Sequence, residues 1–338
     1  MRPPLLIFGY ALAVAWCVPA LLARLTARGI GARLGITAWL AAMISALACA
    51  AVAVELLVRA AVRGWPGLAE AVCRTVAGSA CSPQVYRGAL FEAGLAVAAL
   101  VAVLTAAMLT WRYGRGVQRA QRRTRAHADT ARMTGREIPA RPAGVRPAEV
   151  APADARDAVI LDAVVLEAPR PVAYCLPGRP ATIVISSAAL AVLDSAQLTA
   201  VLAHERAHLA GRHHLLTGLT RGLAATFPGV PLFARGAAEV ARLAEMRADD
   251  AAARRSGRRT LVAALLSMGT GAAVPTAALG ATGFATTARV RRLLDPPRRS
   301  CRARYGAALA GVTLLLALAS TLVTTFSTVI VSRGGTLG

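Results

Sequence analysis

Lysine is absent from this 338-residue chain: all 39 basic residues are arginine, set against 17 acidic ones. Exclusive arginine usage is what GC-rich coding produces, so the formal charge of +22 does not by itself point to a nucleic-acid partner. Aromatic residues are also scarce, at 4%, and the arginines are neither interleaved with them nor set in a recognisable nucleic-acid motif. The two scarcities together argue against a nucleic-acid-binding module. What the chain has in excess is apolar residues, 56% of the total, with a positive mean hydropathy of +0.53. That exceeds the usage of an ordinary soluble domain and directs attention to membrane segments.

Four stretches are long and apolar enough to cross a bilayer, which takes about 20 residues. They cover 5–23, 36–54, 90–111 and 305–331. The first is read as a retained anchor, because "LLARLTARG" is a poor cleavage site for a signal peptide. Arg24, Arg28 and Arg33 fall between the first two stretches, and Arg112, Arg115, Arg119, Arg122, Arg123 and Arg125 follow the third. Positive loops face the cytoplasm, so the amino terminus is expected outside and the long segment 112–304 inside. Cys73 and Cys81 then lie in the outer loop, where a disulfide between them could persist or two thiols remain, whereas Cys175 and Cys301 lie in the reducing cytoplasm.

Residues 1–111 thus hold three transmembrane helices. A basic juxtamembrane helix over 112–135 leads into a proline- and alanine-rich linker ending at residue 156, and a compact domain over 157–304 precedes the fourth span at 305–331. The domain opens with three β-branched stretches read as strands, "AVILDAVVLEA", "PVAYCLPG" and "ATIVISSAAL". A helix follows, with Asp194 and Gln197 as a capping box, Leu198, Val201, Leu202 and Leu209 at helical spacing, and Gly211 placed to end it. A second long helix is expected over "AAEVARLAEMRADDAAARRSG", ending near Gly257. Residues 215–234 between them are apolar but broken by Arg221, Pro228 and Pro231; they read as a surface dip or a hairpin, not a crossing. Residues 258–304 carry no assignable motif.

Histidine is the third scarcity, and the informative one. Only five occur, four of them in "HERAHLAGRHH", residues 204–214. On a helix, His204 and His208 project from one face with Glu205 beside them, the HExxH spacing that lets two imidazoles reach one Zn²⁺ while the carboxylate takes a proton from water. A catalytic zinc needs a third protein ligand. Glu245 is the better candidate because Asp249 follows one turn later, placed to accept the free ring N–H of a ligand histidine; Glu239 competes, without such a partner. His213, His214, Arg289 and Arg292 are candidate donors to a transition state or substrate, and read equally as interface or fold-stabilising groups. The strand "ATIVIS" could pair with an extended substrate or be an ordinary internal strand.

The residues "AYCLPG", "ATIVISSAAL", "LTAVLAHERAHLAGRHH" and "EMRADDAAA" resemble the integral-membrane gluzincin peptidases, most closely the BlaR/MecR type, whose relatives include the HtpX and CAAX-prenyl membrane proteases. The resemblance covers roughly 157–260 and implies a membrane α-helical protein with a cytoplasmic α+β metallopeptidase domain. It further implies one zinc per chain held by His204, His208 and Glu245, Glu205 as general base, and Asp249 behind the ligands. Beta-lactam sensors of this type carry a penicillin-binding domain after the last span, whereas this sequence runs only to Gly338. The expectation is therefore a short form in a bacterial membrane that cleaves a protein substrate, such as a winged-helix repressor of the BlaI/MecI kind. The alternatives are quality control of membrane proteins, as in HtpX-like enzymes, and a non-catalytic scaffold with structural zinc.

Overall fold

The computed structural model describes residues 2–76, 83–134, 136–138, 163–178, 181–270 and 282–333. Among them, four helices are long and apolar enough to cross a membrane: α1 (Arg2–Thr26), α2 (Ala32–Val76), α3 (Pro83–Thr134) and α10 (Arg299–Arg333). The third apolar stretch and the basic segment after it form one continuous 52-residue helix. The pairing considered for Cys73 and Cys81, and most of the proline-rich linker, fall outside the described residues.

The sheet has four strands, β1 (Arg136–Ile138), β2 (Ala163–Leu166), β3 (Ala173–Leu176) and β4 (Thr182–Ser186), in the order β1-β2-β4-β3. Strand β4 is parallel to β2 and antiparallel to β3, and every one of its residues is buried. With neighbours on both sides, it has no free edge for a substrate backbone, so the pairing considered for "ATIVIS" is excluded. Strand β3 forms the edge on the side of α5 (Ser195–Ala210).

The β-branched run ends earlier than its composition suggests. Ser186 accepts from the Ala189 N–H and starts the short helix α4 (Ser187–Val192), so "SAAL" is helical rather than extended. Helix α5 begins on the expected capping box, in which Asp194 Oδ1 accepts from the Gln197 N–H at 2.8 Å, and it stops at Gly211. The segment 215–234 resolves into α6 (His213–Thr226), a proline-containing turn, and the start of α7 (Pro231–Ser256), with proline in the first turn where its missing N–H costs nothing. Helix α7 ends at Gly257 (φ 85°), as expected, and α8 (Arg258–Thr270) and α9 (Thr282–Leu294) complete the fold.

Two cores result. In the domain, Ile185 of β4, Ala189 of α4, Val201 of α5 and Ala264 of α8 pack together beneath the sheet. The second core is shared between the domain and the apolar helices: Leu22 of α1, Trp39 and Met43 of α2, Leu309 of α10, and Leu232, Phe233 and Leu243 of α7 form one buried cluster. Gly236 of α7 faces α2 at close range. A Cβ there would overlap Met43 Cε and lie 3.1 Å from the Trp39 ring. Gly236→Val is therefore expected to cost about 2 kcal/mol or more through overpacking, and to lower the thermal unfolding midpoint in detergent by several degrees. An unchanged midpoint would show that α7 is not seated against α2.

The end of α1 is tied to α7 by a polar latch. Arg242 donates to the Thr26 carbonyl at 2.7 Å and to Glu239 at 2.7 Å, while the Thr26 hydroxyl donates to Glu239 at 2.9 Å. The guanidinium thereby adds a second donor to a carbonyl that already accepts from the Gly29 N–H at 2.8 Å, at the α1 C-terminus where the helix dipole favours a cation.

Candidate metal centre

Helices α5 and α7 place three donor groups against one another. His204 and His208, one turn apart on α5, bring their Nε2 atoms within 3.1 Å. From α7, Glu245 sets Oε2 at 3.5 Å from His204 Nε2 and Oε1 at 3.4 Å from His208 Nε2. Bonds of 2.0–2.1 Å at tetrahedral angles separate two ligand atoms by about 3.3 Å, so this trio fits a zinc ion. His204, His208 and Glu245 could hold a metal ion, their donor atoms all lying within 4.8 Å of one another. Glu239 is not brought to the cluster; it is held in the latch with Thr26 and Arg242.

The groups behind the trio are held as firmly. His204 Nδ1 lies 3.1 Å from Asp249 Oδ1, one turn beyond Glu245 on α7, in the position that fixes a ring tautomer. Asp249 is 0% exposed and receives a two-pronged contact from Arg289 of α9, Nε to Oδ2 at 2.8 Å and Nη2 to Oδ1 at 2.6 Å. Nη1 of the same guanidinium reaches Glu245 Oε2 at 3.2 Å. Arg292, one turn on, donates to Asp250 at 2.7 Å and toward the Met246 carbonyl at 3.4 Å. Both arginines are thus engaged by protein acids on α7.

The other ring nitrogen of His208 is also occupied, by His213: the two Nδ1 atoms are 3.0 Å apart. A tight reversal between α5 and α6 folds His213 back, with Arg212 in the left-handed region (φ 47°). Gly211 is required for space, since a Cβ would overlap the His213 imidazole. Gly211→Ala is accordingly expected to push His213 off His208 and weaken zinc affinity about tenfold, the scale typical of a lost ligand-orienting contact, as read by competition with a chromogenic chelator. Retained affinity would remove His213 from the site. His214 makes no hydrogen bond to these groups among the described residues, and its Nδ1 is buried without a partner.

Electrostatics follow from burial opposed by charge. Burial would lower the His204 pKa, but the Asp249 and Glu245 carboxylates 3.1 and 3.5 Å from its ring nitrogens outweigh it and raise it to about 9. His208 and His213 are pushed down to about 4, chiefly by burial. Asp249 is buried and Glu245 partly so, and desolvation alone would raise both; His204 and Arg289 beside each of them bring both down to about 2. Glu205 behaves differently. Burial raises its pKa, with His204 pulling the other way, so it is the acid in the cluster predisposed to take up a proton. Beside it on β3, Cys175 is pushed up to about 12, first by burial and then by the Glu205 carboxylate, and stays a neutral thiol.

Sequence reasoning named each of these acids and histidines but missed the Gly211–Arg212 reversal and the Cys175 neighbour. The first had a signal in the "GRHH" spacing; the second needed the strand order. Comparison with known proteins adds a family. Residues 148–238, about a quarter of the chain, match the sequence model of Peptidase family M48. No curated protein and no solved structure matches the chain. The match spans α5 and the first turns of α7, and it indicates a zinc metallopeptidase whose metal the His204–His208–Glu245 trio could hold.

Proposed function

We propose that the chain is a membrane-anchored endopeptidase of the BlaR/MecR kind, with α1, α2, α3 and α10 as spans, its amino terminus outside and the 157–304 domain on the cytoplasmic face. The observation that carries the reading is the convergence of His204, His208 and Glu245 at zinc spacing, with Glu205 beside them and Asp249 and Arg289 behind. Zinc, when bound, supplies Lewis-acid chemistry at the scissile carbonyl. Glu205 takes a proton from the attacking water and delivers it to the leaving amine, a transfer suited to a carboxyl whose pKa burial has raised. Asp249 holds the His204 ring, His213 holds the His208 ring, and Arg289 fixes Asp249 and Glu245 in register. Because His213, Arg289 and Arg292 each have a protein partner, their geometry supports holding the site over meeting a substrate.

The substrate in this reading is a cytoplasmic regulatory protein such as a winged-helix repressor. Quality control of membrane proteins is the second reading, favoured by the latch at Glu239, which sets Glu245 only six residues, about 9 Å along α7, from the end of α1. The test is zinc content and casein cleavage by the detergent-purified chain. One zinc per chain and cleavage abolished by chelation are expected; a folded chain that takes up no zinc sinks the peptidase reading. Deleting the gene separates the roles, since a repressor accumulates in one case and misassembled membrane proteins in the other.

A further inference from the structure

We infer that the α6–α7 hairpin is a re-entrant membrane element whose turn at Phe227–Val230 sits among lipid acyl chains. The inference rests on the proposed reading of α1, α2, α3 and α10 as spans. The first support is depth. Leu243 of α7 packs against Gly35 of α2, just before the apolar run, and Gly236 packs against Trp39 and Met43, well inside it. Followed back toward its start, α7 therefore descends along α2, and Pro231 lies a further five residues down. The start of α7 at Pro231 lies about 18 Å along the helix from Leu243, enough to carry the turn well into a hydrocarbon layer of about 30 Å. Leu232 and Phe233 accordingly share a buried cluster with Val14 and Ala15 from the middle of α1, Ala46 of α2 and Leu316 of α10.

Charge supplies the second support. Residues 222–234 contain no charged side chain and are bracketed by Arg221 and Arg235, both exposed. Long arginine side chains can run along the two arms and hold their guanidinium groups at the phosphates while their stems stay in apolar surroundings. On the α6 arm, Gly222 abuts Tyr113 of α3, next to Trp111 and Arg115, which stack at 4.5 Å. Aromatic and basic residues at that level mark a membrane interface.

Backbone chemistry is the third. A turn at membrane depth must leave few N–H groups unsatisfied. Of the five positions Phe227–Pro231, two are prolines without an N–H and two, Phe227 and Val230, donate to the Leu223 and Phe227 carbonyls at 2.9 and 3.1 Å, so that only the Gly229 N–H is without a backbone acceptor among the described residues. The outward residues Ala225, Pro228 and Gly229 are uncharged and exposed, which suits acyl chains.

The test places single thiols at Leu215→Cys, Ala225→Cys and Gly229→Cys in the full-length chain, in nanodiscs of phosphatidylcholine and phosphatidylglycerol. All three positions are exposed, and a Cβ at Gly229 meets nothing within 4 Å, so folding is not at risk. Reaction with a charged, membrane-impermeant maleimide is followed by peptide mass spectrometry, which separates each introduced thiol from the six native cysteines. The expected result is a rate falling progressively from position 215 to 229, by tenfold or more overall, and equalised by unfolding in dodecyl sulfate. Equal rates at the three positions in nanodiscs, fast or slow, overturn the inference. Zinc content measured on the same samples reads the peptidase proposal independently: a labelling gradient without zinc fails that proposal alone, and zinc without a gradient fails this one alone.

Discussion

Glu205→Gln is expected to lower proteolysis about a thousandfold while leaving zinc content unchanged, within the range of roughly 10²–10⁴ for loss of a general acid–base. The side chain is buried beside His204, and its carboxyl has no place in the His204–His208–Glu245 trio, so the amide can occupy its volume without loss of a metal contact. What the amide lacks is the capacity to accept a proton, which burial otherwise raises in this carboxyl. Initial rates on a quenched fluorescent peptide, together with metal analysis of the same preparation, separate the two properties. Activity within threefold of the unaltered chain would remove Glu205 from the mechanism, and loss of zinc would instead make it part of the metal's support.

The second large effect is expected at Asp249, which joins a candidate ligand to a buried cation. Asp249→Ala strips the Arg289 guanidinium of its two-pronged partner and the His204 ring of its Nδ1 acceptor at once. Breaking a buried pair from one side typically costs about 3–5 kcal/mol; here the lower end is expected, because the Arg289 guanidinium keeps its contact with Glu245 at 3.2 Å. Loss of the acceptor behind a metal-binding histidine typically weakens affinity about 10–100-fold. Both should be visible, the first as a lower unfolding midpoint in detergent and the second in a zinc titration against a competing chelator. Removing the stranded charge as well, in Asp249→Ala with Arg289→Met, should restore part of the stability but not the zinc affinity. Equal destabilisation by the single and double variants would show that the Asp249–Arg289 contact contributes little.

The contrast between these sites shows what the sequence could and could not convey. The α5 boundaries were legible because capping is local: Asp194, Gln197 and Gly211 lie within one short segment and act through the backbone nearest them. The four apolar helices were legible for a similar reason, since length and hydropathy alone define them. Choosing between Glu239 and Glu245 was harder. Both lie on the same helix at plausible positions, and what separates them is that Thr26 engages the first, a contact across more than 200 residues. Arg289 was a candidate donor to substrate for want of any sign that Asp249 would claim it from 40 residues away. Strand order was invisible too: β4 reads as a strand in any register, and only its neighbours show it to be internal. Ser186 marks the limit of compositional reading, for a single capping hydroxyl turned the end of a β-like run into helix.

The position of Arg289 also bears on the order in which the protein is made. A ribosome releases the candidate zinc ligands first, on α5 and α7, and the α9 arginine that braces Asp249 and Glu245 more than forty residues later. Helix α10, which supplies Leu309 and Leu316 to the cluster seating α7, comes later still. During synthesis the nascent chain therefore carries its ligands without the frame that aligns them. Full alignment of the candidate ligands therefore waits on α9 and α10, well after the ligands themselves have been made.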